Sequence, residues 1–309
     1  MDWTAVEEKI MQDDQHKWDR KVGAKGLRIE ESGQLAISDS GDTNGSYTLS
    51  DLATAQLCGK LKIPVEYYHR LPGPMKALVG NFDLERLNGH ALLLRGKGEW
   101  IRAVLSGEYV VYNNAQIAET VQTLLQDGNV RVKTFVMEET HLFIKIVSEE
   151  IVEPTSGLKA GIMIGNSEVG LGSVSVEPFV FRKACTNDLV IAQEKSFRHP
   201  HVHLTANELS RRMAIGINEA FTLASSSLDA FLKTREELIP DPVETIRQIA
   251  ASRKLSQKFT DEVVSSFQLE PEYTRFGVIN AFTSAAQKVS PLQRIEIERF
   301  AGTLLTNPT

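Results

Sequence analysis

The chain has 309 residues, 42% of them hydrophobic and 24% charged, the proportions of an ordinary folded protein and not of a disordered or membrane-spanning one. Lys and Arg number 34 against 40 Asp and Glu, a net charge of −6. Each third of the sequence is itself mildly acidic, which excludes a basic domain that grips nucleic acid by charge alone.

The first residues read as a helix from Trp3 to about Lys21, followed by a strand near Leu27–Glu30. The start, Met1-Asp2-Trp3 followed by Glu7-Glu8, lacks the basic-then-apolar pattern of a signal peptide. Residues 31–48 are rich in Ser, Gly, Asp and Asn and read as irregular turns. Ser50 is placed to cap a helix carrying Leu52, Ala55 and Leu57, and Pro64 and Pro74 each open a further one. From Ala91 the period changes. Ala91–Arg95, Trp100–Leu105 and Tyr109–Tyr112 read as strands, and a helix follows over 114–126. Val130–Met137 and His141–Val147 alternate with period two around Glu138-Glu139-Thr140, the pattern of a hairpin. Strands are expected at Gly161–Gly165, Ser173–Val176, Phe179–Arg182, Leu189–Ala192 and near His201.

After Leu204 the pattern is helical. Leu209, Met213, Ile217, Ala220, Ala224, Leu228 and Phe231 recur every three or four residues, the stripe of one long amphipathic helix. Shorter helices are expected over 243–252, 259–267, 273–288 and 292–305. No apolar run approaches the ~20 residues a membrane helix needs. Cys58 and Cys185 stand far apart without a Cys-x-x-Cys, which suits a reducing cytoplasm and leaves no disulfide framework. The expected fold class is α+β: a central antiparallel sheet, an N-terminal helical layer and an all-helical C-terminal region. Its divisions are an N-terminal helix and irregular arm over 1–48, a core over 49–205 and helices over 206–309, together one continuous domain.

Four stretches resemble a known family: Leu49 to Leu71 (LSDLATAQLCGKLKIPVEYYHRL), Arg102 to Asn113 (RAVLSGEYVVYN), Gly161 to Val190 (GIMIGNSEVGLGSVSVEPFVFRKACTNDLV), and Val278 to Leu305 with NAFTSAAQ and AGTLL. Their order and spacing resemble the phage- and plasmid-type family catalogued as domain of unknown function 932. Asn-Ser-Glu-Val-Gly with Arg-x-x-Cys-Thr-Asn is the most specific part, and Asp188, where glycine is expected, is the departure. The resemblance implies no agreed reaction. It implies a mobile-element setting, in which replication, recombination and host takeover are common tasks, and so tilts the reading toward nucleic-acid handling.

Four groups of side chains are candidates for function. In the hairpin, a three-residue turn pairs Met137 with His141, sets Phe135 opposite Phe143 and sets Lys133 opposite Lys145, with Arg131 on the same side. Facing lysines repel unless something anionic lies above them, and rings beside cations form a platform for stacked bases and phosphates. The structural alternative places both phenylalanines in a helix-covered core with the lysines at its rim. In Gly165-Asn166-Ser167-Glu168-Val169-Gly170-Leu171-Gly172, glycines allow amides to converge on an anion, and Asn166 and Ser167 add donors. No Walker Lys-Ser/Thr follows. The alternative there is a tight connection in which Glu168 is tied to a backbone amide or an arginine.

The third group, Arg182, Lys183 and Asn187, is expected beside the Asn166 loop as a basic patch for phosphate. Cys185, within it, is a nucleophile only as a remote option beside a small buried thiol. The fourth is His199, His201 and His203, which in an extended segment point one way. They suit either a metal ion or a cationic stripe with Lys195 and Arg198. Arg211-Arg212 reads as ordinary helix surface.

These groups together point to a single-stranded DNA- or RNA-binding protein working as a homo-oligomeric ring, which repeats a modest patch around a channel. No cofactor is expected. One alternative is a metal-dependent hydrolase or nuclease using the histidines with Glu168 or Asp188, although no Asp-x-Asp or His-Glu-x-x-His occurs. The other is a host-interaction protein without catalysis.

Overall fold

A computed structural model describes residues 1–309 apart from 39–44, 88, 127, 154–156, 183–186, 191–196 and 306–309; at 151–153, 182, 187 and 188 it describes the backbone alone. Helix α1 (Trp3–Asp14) starts at Asp2, whose side chain accepts the Thr4 N–H at 3.2 Å. It does not run on to Lys21. His16 turns into the left-handed region at φ 63°, and β1 (Lys17–Gly23) follows, burying Val22 on an alternating pattern. The strand wins over the helix because β1 finds a seven-residue antiparallel partner in β5 (Ala91–Lys97), pairing Lys17 with Lys97 through Gly23 with Ala91.

Among the described residues the strands form two sheets. The first runs β1-β5-β6-β4-β3-β2, with β2 (Leu27–Ile29), β3 (Leu35–Ile37), β4 (Gly45–Leu49) and β6 (Trp100–Ser106); only β4 with β6 is parallel. Residues 17–23, 27–29, 35–37 and 45–49 are therefore strands of a sheet, in place of the expected irregular arm. Helices α2 (Asp51–Leu61), α3 (Val65–Arg70) and α4 (Gly73–Arg86) pack on this sheet through Leu57, Cys58, Tyr68 and Leu84. Ser50 caps α2 as expected, its Oγ accepting the Ala53 N–H at 3.1 Å.

Residues 109–113 form no strand. Val110 N–H donates to the His201 carbonyl at 2.7 Å, and α5 (Asn114–Gln126) begins directly after. The second sheet runs β11-β10-β9-β8-β7. Its strands are β7 (Val130–Met137), β8 (Leu142–Glu153), β9 (Leu158–Asn166), β10 (Val174–Arg182) and β11 (Asn187–Val190), and β12 (Phe197–His199) pairs with the start of β10. The two strands expected at 173–182 are one, continuing through Pro178.

Both faces of this sheet are covered. Ile144, Ile146, Ile162 and Ile164 pack against α1, α5 and the long α6 (Ala206–Lys233), while Phe143, Val147, Met163 and Phe179 meet Ile295 on the other side. A sheet buried on both faces explains near-continuous apolar runs in place of clean alternation. Helix α6 carries the expected stripe, including Leu209, Met213, Ile217 and Phe231, and Thr205 caps it. Helices α7 (Pro242–Ser252), α8 (Gln257–Leu269), α9 (Arg275–Ala285) and α10 (Pro291–Thr303) complete the chain. A short 3₁₀ turn at Ala286–Lys288 separates the last two. The fold class is α+β. No described helix is long and apolar enough to cross a membrane.

Candidate functional site

The glycine-rich motif closes the end of β9 and turns inward. Glu168 is 2% exposed. Its Oε2 meets Lys17 Nζ at 2.9 Å and Arg102 Nη1 at 3.1 Å, and its Oε1 accepts the Asn114 backbone N–H at 2.8 Å. Arg95 donates to the Glu168 carbonyl at 2.7 Å and pairs with Asp19 at 2.6 Å. Asn166 Nδ2 donates to the Tyr112 carbonyl and to Asn114 Oδ1, at 3.1 and 2.9 Å. Ser167 accepts twice: its carbonyl from Tyr109 O–H at 2.9 Å, and its Oγ from the Leu171 N–H at 3.1 Å. Gly170 holds φ at 78°, and a Cβ there would lie 2.6 Å from Leu105 Cδ2. The motif therefore joins the two sheets through β1, β5, β6 and α5, and its polar trio is bonded within the protein instead of facing an external anion.

Burial alone pushes the Glu168 carboxyl upward. The Lys17 charge, the Asn114 amide and Arg102 outweigh that and hold it below the ordinary carboxylate value. His201 lies beside this centre, stacked on Tyr109 with ring centroids 4.7 Å apart and with Nδ1 3.1 Å from the Val110 carbonyl. Burial lowers its pKa to about 4. An adjoining cleft of about 490 Å³ is lined by Lys97 and Arg102 but equally by Asp13, Glu138 and Glu139, a mixture of signs that selects no anion.

The hairpin differs in register from the expected one. The loop has four residues, 138–141, and Glu138 N–H donates to the His141 carbonyl at 2.9 Å. Met137 pairs with Leu142, Val136 with Phe143, Phe135 with Ile144 and Thr134 with Lys145; a bulge falls between Val132 and Thr134. One extra loop residue shifts the pairing, so that Phe135 no longer faces Phe143 and Lys133 no longer faces Lys145 across the strands. Phe135 packs toward the α1, α5 and α6 side, with Lys9 Nζ 5.5 Å from its ring centre, whereas Phe143 joins the opposite core. Lys145 is 2% exposed and bound to the fully buried Glu298 of α10. Lys133 Nζ sits 3.8 Å from the Phe181 ring centre, and Arg131 is paired with Glu149.

The expected patch joining Asn166 to Arg182 does not form either. Arg182 pairs with Leu158 at the far end of β9 from Asn166, roughly eight residues or about 26 Å along the strand. Asn187 pairs with Arg182 across β10 and β11. Lys183, Cys185 and Lys195 lie outside the described residues. Arg198 is exposed on β12, 3.7 Å from Glu177. The histidines do not share one extended face: β12 ends at His199, His201 is buried, and His203 turns to φ 65°. Among the described residues no group of three His, Cys, Asp or Glu side chains is placed to hold a metal ion. Arg211 and Arg212 both pair with Glu208 on the surface of α6.

A different surface gathers cations beside rings. A depression of about 660 Å³ is lined by Lys254, Lys258, Lys288 and Phe259, with Glu262 and Glu296 also present. A second, of about 330 Å³, is lined by Phe135, Phe143, Lys145 and Arg294. Both include Val289, so they flank the turn that leads into α10. The four cations outside the hairpin come in two pairs, Lys254 with Lys258 and Lys288 with Arg294, from separate segments of the sequence, which is why no single basic run announces them. The hairpin residues Phe135, Phe143 and Lys145 do meet at one depression, beside the edge strand β7 and α10 instead of on an open sheet face.

Fold and site together define a two-sheet α+β protein whose glycine-rich polar motif forms a buried ionic joint. The chain belongs to the family described as domain of unknown function DUF932, whose model matches residues 102–303. That span runs from β6 to the end of α10 and takes in the whole second sheet. No curated protein and no solved structure matches the chain.

Proposed function

We propose that the chain is a cytoplasmic, homo-oligomeric protein that binds single-stranded DNA or RNA along the paired depressions beside the turn into α10, in replication or recombination. The observation that carries this reading is the placement of Lys254, Lys258, Lys288 and Arg294 with Phe259 and Phe135 at two depressions that share Val289 in their lining. Cations spaced along a groove hold successive phosphates, and ring edges between them accept bases without reading sequence. Glu262, paired with Lys288, Glu298, paired with Arg294, and Glu296 moderate the field. On a chain of net charge −6, several copies are needed for tight binding.

The test is fluorescence anisotropy with labelled single- and double-stranded oligonucleotides over a salt series. The wild type is expected to prefer single strands and to weaken linearly in log affinity against log salt. Lys258→Glu combined with Lys254→Asn, asparagine being tolerant of the positive φ of 54° at that position, should remove two phosphate contacts. The slope should then shallow by about 1.4, at about 0.7 per phosphate. No wild-type binding at low salt overturns the function, and an unchanged slope in the variant overturns the site.

A further inference from the structure

Five segments between residues 32 and 76 meet at a cavity of about 450 Å³ beside the first sheet. The turn from β2 to β3 supplies one wall. It is closed by Glu30 N–H donating to the Gln34 carbonyl and Gly33 N–H to the Glu30 carbonyl, both at 2.9 Å, with Gly33 at φ 86°. Helix α4 begins against the same turn: a Cβ on Gly73 would lie 2.0 Å from the Glu31 carbonyl oxygen. The end of β4, the first turn of α2 and the last turn of α3 complete the walls. All five are held by their own backbone bonds, so the cavity is formed before any ligand arrives.

Tyr68 of α3 lines this cavity and is 4% exposed, and its buried O–H finds no hydrogen-bond partner among the described residues. A buried polar group without a partner destabilises a fold, and native structures leave few of them. Burial, with the Cys58 thiol nearby, pushes its pKa up to about 12, so the phenol stays a protonated donor. Lys76 Nζ stands 5.7 Å from the Tyr68 ring centre. The hydroxyls of Ser32, Thr48 and Thr54 line the same space. Its full charges are one of each sign, Lys76 and Asp51, and His69 adds an imidazole.

We infer that this cavity binds a small polyhydroxylated molecule, a mono- or disaccharide, with Tyr68, Thr54, Thr48 and Lys76 among its contacts. Protein hydroxyls both donate and accept, as sugar hydroxyls do, so the two sets satisfy each other. One ammonium and one carboxylate leave no excess sign to select a phosphate or an amine. A zwitterion would meet both charges and leave the hydroxyls unpaired. Leu49 gives the C–H side of a sugar ring an apolar contact, and the volume lies within the ~300–1,000 Å³ common for small-molecule sites. No residue is shared with the depressions beside α10, so the saccharide site and the nucleic-acid groove fail separately.

The experiment is saturation-transfer difference NMR on the full-length chain, with glucose, galactose, ribose and maltose as probes and glycine and inorganic phosphate as controls. At least one sugar is expected to give a saturable signal, and both controls none. Tyr68→Phe keeps the ring and deletes the unpartnered O–H. It should melt at or above the wild-type temperature and bind that sugar about tenfold more weakly, the loss of one hydrogen bond. Thr54→Val, similar in shape, should weaken binding by a similar factor, and both variants should bind oligonucleotide as wild type does. Silence from all four sugars, a control that binds as well as a sugar, or unchanged sugar affinity in both variants overturns the site. So does a lower melting temperature for Tyr68→Phe, which would show that the hydroxyl already has a partner inside the fold.

Discussion

Glu168 shares its buried site with Lys17 and Arg102, whose side chains are only 6% and 10% exposed. Removing the carboxylate leaves Arg102 without its carboxylate partner, while Lys17 keeps Asp13 at 2.7 Å and Asp14 at 3.6 Å; a broken buried pair of this kind costs about 3–5 kcal/mol. Glu168→Ala is expected to lose about that much in urea unfolding with an unchanged slope. Glu168→Gln keeps an acceptor for the Asn114 amide and should fall between the two. Equal midpoints for wild type and Glu168→Ala would show that the ionic joint contributes nothing. The same geometry explains why Asn166 and Ser167 are poor candidates for phosphate contacts: their hydrogen bonds go to Tyr112, Asn114, Tyr109 and Leu171.

Between elements, Lys145 of β8 and Glu298 of α10 tie the C-terminal helix to the second sheet, with Arg294 bound to the same carboxylate at 2.8 Å. Lys145→Glu would place two carboxylates in one buried space, so the residue tests folding before it tests ligand binding. A cycle of Met substitutions separates the effects. Lys145→Met alone should destabilise by about 3–5 kcal/mol, while Lys145→Met with Glu298→Met should lie near wild type, since an apolar pair of similar volume needs no charge compensation. Arg294, 24% exposed at its side chain, can turn to solvent in the double variant. Additive losses in denaturant unfolding would show that the two residues do not act as a pair.

For the molecule as a whole, these buried groups set the acid limit of stability. His201, enclosed beside Tyr109, with Arg95 opposing its charge and Glu168 favouring it, has a folded pKa of about 4 against an ordinary value of 6.5. Between those values the unfolded chain takes a proton that the folded one refuses, so stability present above pH 6.5 is lost as pH falls toward 4. The full effect is about 3 kcal/mol. Glu168 acts lower: its depressed pKa adds stability above its ordinary 4.5, which is lost as pH falls through the folded value. Unfolding free energy measured from pH 7.5 to 4.5 should decline on the acid side, and His201→Gln should flatten that decline. An identical slope in the variant would remove His201 as its source.

Local chemistry was enough to place much of the chain. Ser50 and the prolines at 64 and 74 mark helix starts because capping and fixed φ act within a few residues, and the α6 stripe follows from its own period. The existence of the 130–147 hairpin was equally legible, but its register was not, since a four-residue loop in place of three moves every pairing. Strand β1 read as helix because its partner β5 lies more than seventy residues on. The motif at 165–172 stood out as polar and glycine-rich, yet its inward orientation depends on cations and an amide at 17, 95, 102 and 114. The α+β class, most helix boundaries and the family were legible from the chain, because all of them rest on neighbouring residues. Which charges are buried together and which cations share a depression came from the folded molecule alone, because those contacts join segments that no local pattern connects.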